Sequence, residues 1–253
     1  MRPLFKPLLA LILVTASGYA SAKPHISMAE DSLTTVTRQV NGFNALQISG
    51  PFDVYIEQGD TESLTYKAPK EVLDRIVTHV EGSTLRISNK HDNWGWGYNS
   101  WYSDKSWWRH HAKIVVNITV KDLSSIKVSG SGGAFFDNGL TTNSLKLTVR
   151  GSGNVHGKIT VKELESIISG SGNIRLTGTA GSSMLKVSGS GNFIAGDLVT
   201  SSSTVRVSGS GNAKINATDK VVAGVSGSGD VRYTGDAKSI KSATSGSGSV
   251  HKF

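Results

Sequence analysis

The sequence predicts an all-β fold, a parallel β-helix (solenoid) with turns of about 19 residues and an aromatic-rich loop insertion. Three observations carry this. A glycine-serine motif recurs at near-constant spacing, apolar residues alternate at a fixed phase around each copy, and the repeat is too short for a strand–helix–strand unit. SGSGG begins at Ser129, RGSGN at Arg150, SGSGN at Ser169, Ser188 and Ser208, SGSGD at Ser226, and SGSGS at Ser245. The second glycines, Gly132, Gly153, Gly172, Gly191, Gly211, Gly229 and Gly248, are spaced by 21, 19, 19, 20, 18 and 19 residues.

Flexible linkers also read SGSG, but a linker would carry no phase. Six and four residues before the second glycine stand Ile126 and Val128, Leu147 and Val149, Leu185 and Val187, Val205 and Val207, and Ala223 and Val225. Two and four residues after it stand Ala134 and Phe136, Ile174 and Leu176, Phe193 and Ala195, Ala213 and Ile215, and Val231 and Tyr233. Period two means strands with one buried face. No single turn can bury that face alone, so stacking must supply the core. Glycine provides positive φ or close backbone approach at the corners, and serine hydroxyls satisfy backbone groups there. Asn154, Asn173, Asn192 and Asn212 follow the second glycine, then Asp230 and Ser249. In register, such asparagines form a hydrogen-bonded ladder; the same small polar row could also line a binding stripe.

Along the chain, residues 1–22 read as a secretory signal peptide. Arg2 and Lys6 precede the apolar run Leu8–Val14, and Ala20-Ser21-Ala22 fits a peptidase site before Lys23. The run is too short to span a bilayer, and no later segment approaches the roughly 18 apolar residues that spanning needs. Leu46, Ile48, Val54 and Ile56 around Ser49-Gly50-Pro51-Phe52 repeat the turn pattern, with Phe52 at the second-glycine place, and read as a degenerate first turn. Leu64-Tyr66-Ala68 and Leu85-Ile87 read as strands, Lys70–Val77 as a short helical turn, and Ile114, Val116, Ile118 and Val120 as a strand resuming the sheet. Residues 89–112 fall between two strands as an insertion, and residues 129–253 hold the regular repeats.

Cysteine is absent, which excludes disulfides, thiolate metal sites, thiol nucleophiles and acylation at an N-terminal cysteine. The formal charge of +8 falls to +6 when Arg2 and Lys6 leave with the leader. That balance suits anionic glycans or lipid headgroups, or solubility alone, since the charges are scattered and form no block. An exported chain without a basic block is not read as a nucleic-acid binder. The glycine motifs lack the lysine of a phosphate loop and recur too often to be one phosphate site, and no G-x-S-x-G elbow is present.

Polysaccharide cleavage would need paired carboxylates, or a metal-assisted base, in a groove. Asp53, Glu57 and Asp60 are close in sequence, but Asp53 and Glu57 also suit the outer face of a strand whose inner face is Val54 and Ile56. Asp137-Asn138-Gly139 reads as a turn rather than a calcium site. His91, His110 and His111 flank the aromatic segment. They are read as solvated loop residues, because adjacent histidines do not easily share one metal. No cofactor is expected.

All five tryptophans lie in NWGWGYNSWYSDKSWW, residues 93–108. The repeats have their own apolar residues and do not need these indoles. The segment is either an aromatic cap or a contact surface. As a contact surface it would use Trp94, Trp96, Tyr98, Trp101, Tyr102, Trp107 and Trp108, with Lys105 and Arg109 drawing in anionic groups. Its partner would be a cell-surface glycan, a lipid headgroup or an envelope protein.

FNALQISGPFDVYIEQG at 43–59, EGSTLRIS at 81–88, VNITVKDLSSIKVSGSGG at 116–133 and the SGSGN turns together resemble bacterial auto-transporter adhesin head (GIN) domains. The resemblance covers about residues 36–253 and marks 23–253 as one GIN-type β-helix domain. It implies a β-helical fold, a cell-envelope location (periplasm, outer-membrane surface or extracellular space) and adhesion, with no catalytic residues. The chain departs from many relatives in having no lipid-anchoring cysteine, and the tryptophan-rich insertion is outside the shared pattern. The resulting expectation is an exported, non-catalytic binding module. A polysaccharide-active enzyme and a passive scaffold are the alternatives.

Overall fold

A computed structural model describes residues 33–90 and 114–253. The expected leader and, apart from Asn89 and Lys90, the expected insertion lie outside the described residues. In chain order the elements are β1 (Leu33–Arg38), β2 (Ala45–Ser49), β3 (Phe52–Gln58), β4 (Ser63–Pro69), the helical turn α1 (Lys70–Leu73), β5 (Ile76–Glu81), β6 (Thr84–Asn89) and β7 (Ile114–Val120). There follow β8 (Ser125–Gly130), β9 (Gly133–Gly151), β10 (Asn154–Gly170), β11 (Asn173–Gly189), β12 (Asn192–Gly209) and β13 (Asn212–Gly227). The last are β14 (Val231–Thr234), β15 (Ser239–Ser245) and β16 (Val250–Lys252).

The strands form one parallel β-solenoid, as the repeat predicts. Each long strand runs from one SGSG corner to the next, and like positions stack in register: Asn154 opposite Asn173, Leu164 opposite Ser183, Gly170 opposite Gly189. Residues before a corner form the leading arm of a turn and those after it the trailing arm. Side chains with the inward phase form one core. Ile126, Leu147, Leu185 and Val205 come from leading arms, and Ala134, Ile174, Phe193 and Ala213 from trailing arms. Fully burying a residue such as Phe193 stabilises by about 1.5–3 kcal/mol.

The two glycines of each corner serve different ends. Gly189, a first glycine, has φ +116°, a conformation L side chains rarely adopt. Gly191, a second glycine, has no such φ. A Cβ there would instead land on the carbonyl oxygen of Gly172 in the preceding turn. The amides of Ser190 and Gly191 donate to the Gly170 carbonyl at 2.9 and 3.0 Å, so the corners themselves are hydrogen-bonded turn to turn.

Spatial order and chain order differ at the N-terminal end. β2 lies between β6 and β8, and β3 between β7 and β9. The segment read as the first turn is therefore the second in space. From it the chain runs outward through β4, α1 and β5, builds the end turn from β6 and β7, and returns inward at β8. The end is closed by antiparallel pairing of β1 with β4, β4 with β7 and β5 with β6, which protects the open sheet edge. The helix is shorter than expected: it stops at Leu73, and Ile76 and Val77 are already in β5, where they pair with Asn89 and Ser88.

The 21-residue first spacing has a local cause. Phe136 and Leu140 of β9 face Gly157 and Ile159 of β10, so Asp137-Asn138-Gly139 bulges out opposite Lys158. It is a bulge within β9 rather than the turn expected there. Gly157 has no inward side chain, and the Phe136 ring occupies the space its Cβ would need. Ser166 is the misfit. It points inward between Leu147 and Leu185, is fully buried, and its hydroxyl has no partner among the described residues.

Two stability predictions follow from these positions. Gly191→Ala forces neighbouring turns apart and is expected to cost more than about 2 kcal/mol, whereas Gly224→Ala, whose Cβ would meet nothing, changes stability by less than about 0.5 kcal/mol. Ser166→Ala removes a desolvated hydroxyl and is expected to stabilise by about 1 kcal/mol. Urea unfolding of the three variants reads both.

Candidate binding surface

The nine residues expected to make contact, Trp94, Trp96, Tyr98, Trp101, Tyr102, Lys105, Trp107, Trp108 and Arg109, lie outside the described residues. So do His91, His110 and His111. The strand ends that carry the segment are described. Ile87 of β6 pairs with Ile48 of β2, and Ile114 of β7 pairs with Phe52 of β3. The neighbouring turn joins these two places through Ser49-Gly50-Pro51. In sequence, the aromatic segment runs between these two strands.

The trailing arms carry an outer face beside the corners. Its first column beside the corners is the expected asparagine ladder. Asn173 Nδ2 donates to Asn154 Oδ1 at 3.0 Å, Asn192 Nδ2 to Asn173 Oδ1 at 2.9 Å, and Asn212 Nδ2 to Asn192 Oδ1 at 3.2 Å. Asp230 has no side-chain donor, and its backbone N–H takes over the bond to Asn212 Oδ1 at 3.0 Å. Ser249 then donates its hydroxyl at 2.7 Å and its backbone N–H at 3.0 Å to Asp230 Oδ1. These bonds hold the Asp230 carboxyl below the usual aspartate range.

The next outward column begins with Tyr55 on β3 and Phe135 on β9. Their rings stack with centroids 5.2 Å apart and planes at 26°, and Tyr55 is 43% exposed. His156, Arg175, Ile194 and Lys214 continue the column. Beside the stack lies a recess of about 410 Å³ lined by Phe135, Asn154, His156, Asn173, Arg175 and Ile194. His156 Nδ1 lies 3.1 Å from Asp137 Oδ1, which fixes the imidazole at its rim. The recess thus offers an aromatic face, amide groups, an imidazole and a guanidinium to one ligand. Sequence reading missed it, because Tyr55 and Phe135 are 80 positions apart and meet only through the turn order.

The carboxylates considered for catalysis are separated. Asp53 and Glu57 lie on the outer face of β3 as expected, Asp60 falls beyond its end, and Glu57 accepts a hydrogen bond from Asn138 Nδ2 at 2.9 Å. Among the described residues no group of three or more His, Asp or Glu is placed to hold a metal. No described helix is long and apolar enough to cross a membrane.

Short parallel turns, glycine corners and an aromatic outer face define a β-solenoid with a surface for contact. The family profile described as "Putative auto-transporter adhesin, head GIN domain" matches residues 42–237, and the chain belongs to that family. The fold is similar to the crystal structure of a putative adhesin from Bacteroides fragilis, with 25% identity, coverage of 87% of this chain and 97% of that one, and a TM-score of 0.75. A structure named as a putative lipid binding protein from Parabacteroides distasonis is 25% identical, covers 88% and 98%, and scores 0.68. A putative adhesin from the same species, 23% identical over 87% and 97%, also scores 0.68 and shares the fold. No curated protein sequence matches the chain.

A depressed carboxyl pKa stabilises the fold above the unfolded pKa, and that contribution is lost as pH falls through the folded value. Ser249→Ala should raise the Asp230 pKa toward the ordinary aspartate range and move this acid-side loss to higher pH. Carbon-detected NMR titration of Asp230 measures the first effect and melting temperature against pH the second.

Proposed function

We propose that this chain is an exported, non-catalytic binding module of the cell envelope that contacts a glycan with its aromatic end. The observation that carries this is the stacked Tyr55–Phe135 pair beside an amide-lined recess, on the strand that pairs with the return of the tryptophan-rich segment. A sugar ring presents an apolar face that stacks on aromatic rings and a rim of hydroxyls that pair with amides and guanidinium groups. Trp94, Trp96, Tyr98, Trp101, Tyr102, Trp107 and Trp108, between β6 and β7 in sequence, would add further aromatic contacts, and Lys105 and Arg109 positive charge. Membership of an adhesin-head family supports surface attachment as the role, and residues 1–22 supply the export signal. Similarity to a structure named as a lipid binding protein makes lipid headgroups the competing partner.

Tryptophan fluorescence with acrylamide quenching, titrated against glycan and lipid-vesicle panels, tests the proposal, since every tryptophan is in the segment concerned. Quenchable emission should become protected with one glycan class. Alanine at Trp94 and Trp96, or at Tyr55, should weaken that binding by roughly 2–10-fold, the range expected for losing one aromatic contact, and leave the β-sheet circular dichroism unchanged. Protected emission that ignores every ligand would reduce the segment to a cap.

A further inference from the structure

The outer faces of the two arms differ in charge. On the trailing arms, cations alternate with Asp53, Glu57, Asp137 and Asp230. From β8 to β15, the leading arms present Lys127, Lys146, Arg150, Lys186, Arg206, Lys220 and Lys241 outward against two carboxylates, Glu163 and Glu165. Glu165 is bound to Lys146 at 2.8 Å. Among the described residues, Lys127, Arg150, Lys186, Arg206 and Lys241 have no ion-pair partner. None of the outward positions on this stretch of the face is aromatic.

A trough of about 550 Å³ is cut into the face. It follows one column that passes from two long side chains, Lys186 and Arg206, to two small residues, Gly224 and Ala243. A Cβ at Gly224 would meet nothing within 4 Å, so the floor is open. One bank is the serine row Ser188, Ser208, Ser226 and Ser245, a hydroxyl on every turn. Turns stack at about 4.8 Å, so the trough is roughly 14 Å long.

We propose that this trough binds a linear acidic polysaccharide lying along the solenoid axis, a carboxylate or sulfate of the glycan held between Lys186 and Arg206. The geometry selects this ligand. Two unpaired cations on adjacent turns take one anionic group, with the guanidinium able to bind it in bidentate fashion. The glycine and alanine floor leaves room for sugar rings. The serine hydroxyls both donate and accept, matching sugar hydroxyls at a spacing close to one sugar unit per turn. A membrane surface would call instead for interfacial aromatic side chains beside the cations, and this face has none. The site is on the opposite arm from the Tyr55–Phe135 recess and stands independently of it.

The test is binding of the intact protein to immobilised polygalacturonate and dextran sulfate at low ionic strength. Neutral dextran and phosphatidylcholine vesicles with and without phosphatidylglycerol serve as comparisons, and every variant is first checked for an unchanged melting curve. Wild type should bind at least one acidic polysaccharide and not neutral dextran, with affinity falling as salt rises. Lys186→Gln with Arg206→Gln should weaken binding at least tenfold. Gly224→Leu, which fills the trough and changes no charge, should weaken it at least fivefold. Lys67→Gln with Lys70→Gln removes the same charge elsewhere and should change affinity less than twofold. The proposal is overturned if wild type binds neither acidic polysaccharide or binds only the anionic vesicles. Equal losses in the two double variants, or full binding by Gly224→Leu, would also overturn it. Loss on Tyr55→Ala with full binding by Lys186→Gln/Arg206→Gln would overturn it too, while leaving the aromatic surface in place.

Discussion

Everything in this solenoid depends on how closely one corner lies on the next. Successive turns share hydrogen bonds along both arms, so their spacing is set by the sheet at about 4.8 Å. At the corners the backbone of one turn runs directly over carbonyl groups of the turn before, as Gly191 does over Gly172. A side chain pointing along the stack would have to displace a backbone group that has nowhere to go. The second glycine of each motif meets that limit, and the first supplies the reversed φ that lets the chain turn the corner. Where the second glycine is missing, at Phe52, the neighbouring corner still carries Gly132, whose hydrogen atom faces the Phe52 carbonyl.

Once the corners fix the register, the rest is repetition with local repair. The asparagine ladder runs beside the corners because in-register turns bring identical amides within hydrogen-bond reach. It ends where Asp230 replaces the amide and a backbone N–H supplies the missing donor. Phe136 fills the gap left by Gly157, and the Asp137-Asn138-Gly139 bulge takes up two extra residues without disturbing the arms on either side.

A solenoid also converts sequence distance into adjacency. Lys186 and Arg206 are 20 positions apart in sequence, yet they are neighbours on one face. Charges that form no block along the chain are sorted by strand phase and turn number into a cationic leading face and a mixed trailing face. The same arithmetic brings Tyr55 to Phe135. The surfaces proposed for binding thus arise from stacking, on a scaffold whose core is satisfied by other residues.

The repeat in this sequence was sufficient to determine the fold class, the inward phase of the strands that flank each corner, the corner glycines and the ladder. Each depends only on period and on chemistry local to one turn. The strands at Leu64–Ala68, Leu85–Ile87 and Ile114–Val120 were legible for the same reason. The direction of β4, the presence of β1 and β5, and the order of the turns at the N-terminal end were not, because antiparallel closure follows from which edge needs covering rather than from any periodicity. Of the candidate contacts, the aromatic segment was visible as composition, whereas the Tyr55–Phe135 recess and the Lys186–Arg206 trough were not. Those sites exist only across turns, and their residues become neighbours when backbone hydrogen bonding, which is blind to side-chain identity, lays one turn on the next.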